Sequence, residues 1–292
     1  MPAYLRKVFL DPEGALRNGW KALSYFLLVV ALSLLLTPVY RLLPRPLRAG
    51  FPAQGTGVLA CLAAAWCFLR TEGAPLGSLG LRLNGRFLSH LLLGTLGGCA
   101  LIGAAAGLVW SLGGLHWTRT PGVGLAPLAK AAWLFLAVAL FEELLFRGYA
   151  FQRAARGLGF TGAQTAFALI FALLHWGNPG MAGATRAWAT VNIALAALLL
   201  GFCWRRTGSL ALPIGVHLGW NWTQGSLLGF GVSGTASQGW WTPVFHGRPE
   251  WLTGGSFGLE ASLPGVLVCG AAVLALGAWK GSTGGASTAS GS

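Results

Sequence analysis

Stretches of apolar sequence long enough to cross a hydrocarbon core of ~30 Å recur about eight times along this chain, separated by short basic connections. A backbone in such a core has no water to bond, so each stretch must close its hydrogen bonds internally, as a helix. The stretches run over 22–43, 58–69, 88–110, 131–146, 162–176, 189–204, 210–230 and 263–279. Charged residues make up 9% of the chain, against roughly 25% in an ordinary soluble domain, too few to cover a water-facing surface. The expected fold is therefore all-α: a polytopic membrane helix bundle of about eight transmembrane helices. It forms one domain over 1–280, with a core at 131–230 that carries the chemistry and a disordered low-complexity tail at 281–292.

The formal charge of +13 does not mark a nucleic-acid binder, because the arginines are scattered between apolar runs, where they set topology. With the N-terminus inside, twelve Lys and Arg fall on the cytosolic side, Arg153, Arg205 and Arg206 among them, against seven outside. Both termini are thus expected in the cytosol, and the N-terminal segment is expected to lead into an uncleaved first helix. Seven tryptophans, from Trp20 to Trp279, stand at expected helix ends, where the interface favours them. Cys61, Cys67, Cys99, Cys203 and Cys269 show no CxxC pair and read as small packing residues. Glycines inside the stretches permit close helix–helix approach. The long connection 231–262 carries Trp240, Trp241 and Trp251 and is expected along the outer interface or folded over the bundle. Its His246, with no expected partner, reads as ordinary surface.

The informative residues are polar ones inside apolar stretches, each costing about 2.5–3.5 kcal/mol at mid-membrane if ionised. The fourth stretch carries Glu142, Glu143 and Arg147, the fifth ends in His175, and the seventh carries His217 and Asn221. Glu143 and Arg147, four apart, share a helix face and suit an internal ion pair. Glu142 is rotated by about 100° from Glu143. His217 and Asn221 are also four apart, and Pro213 one turn earlier should loosen that helix and shape a cavity. A rise of about 1.5 Å per residue brings these groups together in the cytosolic half of the bundle. Patterning leaves open whether they hydrolyse a bond or relay protons as a non-catalytic, transport-like protein.

The three motifs Glu142-Glu143-x-x-x-Arg147, Phe171-x-x-x-His175 and His217-x-x-x-Asn221 resemble those of the CPBP intramembrane protease family. That family holds the type II CAAX prenyl endopeptidases and their bacterial relatives, also described as ABI proteins. The resemblance covers about Trp133 to Asn221 and implies an eight-span bundle with a conical cavity open to the cytosol. It implies an intramembrane endopeptidase of the bacterial cell membrane, surrounded by lipid and acting on a membrane-associated peptide or protein, lipidated or not. Glu142 would be the general base, with His175 helping to hold its water. Glu143 and Arg147 would support the site, while His217 and Asn221 stabilise the oxyanion. A metallopeptidase version of the family's chemistry makes Glu142, His175 and His217 ligands of Zn2+; the competing version is a metal-free glutamate base. The absence of HExxH excludes a soluble-zincin arrangement on one helix.

Overall fold

A computed structural model describes residues 3–279. The tail assigned to 281–292 lies outside the described residues. In chain order the helices are α1 (Ala3–Phe9), α2 (Asn18–Leu42), α3 (Arg45–Gly50), α4 (Gln54–Thr71), α5 (Gly85–Ser111) and α6 (Leu125–Phe146). They continue with α7 (Tyr149–Leu174), α8 (Gly183–Thr207), α9 (Ala211–Trp222), α10 (Glu250–Thr253) and α11 (Leu263–Ala278). Each of the eight apolar stretches falls on one helix: α2, α4 to α9, and α11. The all-α expectation holds, and α2, α5 and α8 are each long and apolar enough to cross a membrane.

The fifth and seventh helices differ from the sequence reading, each for a physical reason. The fifth helix begins at Tyr149 rather than near residue 162, because Arg153 and Tyr149 are drawn inside by Glu72. Gly159, at φ 72°, then breaks α7 in two, a conformation that a residue with a Cβ rarely adopts. Pro213 sits in the first turn of α9, where its missing N–H costs no hydrogen bond, so it does not loosen the helix as expected. The irregularity comes later instead: Thr223–Leu227 winds as a single π turn after α9.

α9 owes its position to glycine. Gly94 and Gly98 of α5 face Gly215 and Gly219 of α9, each pair spaced as GxxxG. A Cβ at Gly98 would strike the Val216 carbonyl, and one at Gly219 would strike the Thr95 carbonyl. The two backbones therefore touch directly, which gives dispersion contact without a hydrophobic drive from lipid. Cys99 fits the same seam, its Sγ 3.6 Å from the Gly219 carbonyl oxygen.

Hydrogen bonds sort the connections into two ends. At one, Lys21 and Arg153 both pair with Glu72, and Tyr149 donates to it at 2.8 Å, tying α2, α4 and α7. The same end carries Gly80, whose carbonyl accepts from Leu210 N–H at 3.1 Å. At the other, Trp133 donates to the Gly50 carbonyl and Trp222 to that of Leu128, each at 3.0 Å. There an addition to the expected fold appears, an antiparallel ribbon of β1 (Leu115–Arg119) and β2 (Trp241–Phe245). Arg119 clamps it by stacking on Trp240 at 3.9 Å. His246 is not partnerless surface: its Nε2 lies 2.7 Å from His116 Nδ1 across the ribbon.

The grouping matches the one drawn from Lys and Arg. The long connection does fold over the bundle, as its tryptophans suggested, and goes further: Leu252, Phe257 and Leu259 are buried within it. A Gly98→Ala variant should be destabilised by about 1–3 kcal/mol through overpacking against backbone. Gly97→Ala, whose Cβ meets open space, should be neutral. Thermal melts of the two in one detergent check this, and equal melting temperatures would contradict the seam.

Candidate active site

Glu142 and Glu143 stand in the last turn and a half of α6, and their 100° offset sends them to different surroundings. Glu143 is fully buried. Its Oε1 accepts from Arg147 Nη1 at 3.1 Å and from His217 Nδ1 at 3.0 Å. Arg147 caps the C-terminal end of α6 and donates from Nη2 to the Ala197 carbonyl at 2.9 Å. Its guanidinium also lies over the Phe171 ring at 5.2 Å. The ion pair expected from i,i+4 spacing is thus present, and it reaches three further helices.

Glu142 instead lines a cavity of about 700 Å³ with His175, His217 and Asn221, its apolar wall including Phe135 and Phe171. His217 joins the two glutamates: Nδ1 is on Glu143 and Nε2 lies 3.8 Å from Glu142 Oε2. Because a carboxylate can only accept, the His217 proton sits on Nδ1, which leaves Nε2 facing Glu142. His175, one residue beyond α7, stands 2.7 Å from the Phe171 carbonyl through Nδ1. The same reasoning makes that nitrogen a donor and leaves Nε2 free. Asn221 is buried one turn beyond His217. The structure thus brings Glu142, His175, His217 and Asn221 to one cavity, with Glu143 and Arg147 behind its wall.

Among the described residues no group of three or more His, Cys, Asp and Glu side chains is placed to hold a metal. Glu142 and His217 approach each other, and the Nδ1 bonds of His217 to Glu143 and of His175 to the end of α7 leave Nε2 of each ring uncommitted.

The cavity also reaches toward the ribbon end. Its wall is completed by Gln54 at the start of α4 and by Asn178, Ser233 and Ser237 from connections there. None of the groups around Glu72 lines it.

Sequence reasoning missed a polar group farther along the cavity. Glu260, just before α11, is buried and accepts from Gln224 Nε2 at 2.5 Å and Ser233 Oγ at 3.3 Å. Burial pushes its carboxyl above the ordinary value, opposed by those donors. Asn192 of α8, 1% exposed, also lines the cavity. Its signal was available, an asparagine amid apolar residues in AWATVNIALAALLL.

Comparison with protein families places these residues. Residues 124–223 match the family described as Type II CAAX prenyl endopeptidase Rce1-like, a span containing all six motif residues. The family resemblance read from the three motifs is thereby shown over that segment, a protease family of membrane-embedded proteins. Comparison with curated proteins gives no match.

Replacing Glu143 by Gln should destabilise the bundle by about 3–5 kcal/mol, since Arg147 then loses its counter-charge away from water. Melting temperatures of wild type and Glu143→Gln in matched detergent and lipid check this. Equal values would show that the pair does not hold the fold.

Proposed function

We propose that this integral membrane protein is an endopeptidase that hydrolyses a peptide bond of a membrane-associated substrate, with Glu142 as a metal-free general base. The observation that carries this reading is the approach of Glu142 and His217 over one cavity, with His217 braced from behind by Glu143. The apolar walls exclude bulk water and accept an apolar or lipidated segment, which strengthens every charge interaction inside.

The chain's own groups can perform each step. A water between Glu142 and the free Nε2 of His175 gives its proton to Glu142 as its oxygen bonds the scissile carbonyl carbon. The carbonyl oxygen gains negative charge, and the Asn221 amide supplies a donor to it. His217 supplies a second donor in its imidazolium form: with Nδ1 on Glu143, the added proton stands on Nε2. Collapse of the tetrahedral species breaks the C–N bond, and Glu142 returns the proton to the leaving amine. Arg147 fixes the Glu143 carboxylate, so it acts by positioning rather than by touching substrate. The Lys and Arg bias supports an orientation with both termini in the cytosol, in the bacterial cell membrane that the family resemblance implies.

Glu142→Gln keeps the shape and deletes the base, so cleavage should fall by about 10²-fold or more while melting is retained. The measurement compares peptide termini in membranes from cells carrying wild type or Glu142→Gln. It is joined by turnover of purified protein before and after exhaustive chelation. Termini independent of Glu142 would overturn the peptidase reading, and turnover abolished by chelation would overturn the metal-free base. Orientation is checked with a cysteine probe at position 238 in a Cys-free background, beside Ser237 of the cavity wall. Labelling from outside is expected, and labelling of a probe at 207 instead would reverse the topology.

A further inference from the structure

Charge is distributed unevenly between this cavity and the rest of the chain. Lys and Arg outnumber Asp and Glu by twenty to seven. Yet the cavity is lined by two carboxylates, Glu142 and Glu260, and by none of the described Lys or Arg residues. Glu142 has His217 beside it, whereas Glu260 forms no ion pair among the described residues. It is held only by neutral donors: the Gln224 amide and the Ser233 hydroxyl and N–H.

The polar groups around Glu260 are incompletely partnered. Gln224 spends its amide nitrogen on Glu260 and on the Gly231 carbonyl, leaving its buried Oε1 without a partner. Asn192, on the same cavity, has neither amide atom partnered. On the cavity itself, a buried carboxylate with no counter-charge and the unpartnered Asn192 Oδ1 suit a group with several N–H donors and a positive charge. They suit an anionic group poorly, because nothing there offers a counter-charge.

From these observations we infer that Glu260 is a specificity residue of the cavity, which receives the cationic side chain of a lysine or arginine in the peptide substrate. This rests on the peptidase reading of the same cavity. Position sets the register. Gln224, which holds Glu260, follows His217 by seven residues, about 10 Å at the helical rise. An extended peptide advances about 3.3 Å per residue, so the basic residue lies within about three residues of the scissile bond. The hydrogen bonds to Gln224 and Ser233 also anchor the long connection to α9. A purely structural duty for Glu260 would stop there and would leave peptide selection unchanged.

Binding separates the two, with Glu142→Gln as background so that the probe stays whole. The probe is a fluorescent, apolar nine-residue peptide carrying one lysine, moved one position at a time, with glutamine and acetyl-lysine counterparts. At one position the lysine peptide should bind about tenfold tighter or more than both counterparts. Glu142→Gln/Glu260→Gln should reduce that ratio to about one. A lysine advantage at no position would overturn the proposal, as would a ratio that Glu260→Gln leaves unchanged. The comparison of lysine with acetyl-lysine needs no change at Glu260, so it decides the matter even where the double variant fails to fold. Failure of the peptidase reading looks different: wild type would leave every peptide uncut while the lysine advantage in binding persisted.

Discussion

The buried carboxylate of Glu143 is the interaction on which the site depends. A charge with no exposed surface is tolerated only when a counter-charge and hydrogen bonds answer it; here Oε1 receives both, while Oε2 has no partner. Arg147 answers the charge, and His217 takes a second hydrogen bond to the same oxygen. Through Arg147 the carboxylate also reaches the Ala197 carbonyl of α8 and the Phe171 ring of α7. One side chain thereby sets the relative positions of four helices, and all four carry groups that line the cavity. Glu142, one residue earlier, is left free for chemistry because the helical turn points it elsewhere.

That arrangement needs α9 to sit at a defined depth and rotation, which the glycine seam with α5 supplies. Side chains of ordinary size would hold the two axes apart and carry His217 away from Glu143. The close approach also explains why a twelve-residue helix can hold two of the site's residues. Its backbone is fixed by contact with α5, a helix long enough to cross the membrane, and not by its own length.

The Glu72 cluster plays a comparable part at the other end. It draws Tyr149 and Arg153 inward and makes a helix of a segment that reads as a basic connection. Arg153 therefore serves as an internal partner as well as a topology signal. At the ribbon end, the connection after α9 turns back into the bundle and contributes the wall that carries Ser233, Ser237 and Glu260. The cavity is thus built by a loop as much as by helices, and its acidic lining stands out against a strongly basic chain.

The sequence by itself determined the helical class, the eight apolar segments and the Glu143–Arg147 pair. Those follow from hydrophobic run length and from i,i+4 spacing, which are local properties of the chain. It also located Glu142, His175, His217 and Asn221, because a polar group inside an apolar stretch is costly and therefore conspicuous. The tertiary structure alone decided that His217 bridges both glutamates and that His175 is tied to Phe171. It alone joined His246 to His116 and brought Glu260 and Asn192 to the cavity, since no sequence period links residues in separate segments. The share of the cavity wall built by the long connection was likewise hidden, because depth counted along single helices does not show how a connection folds back among them.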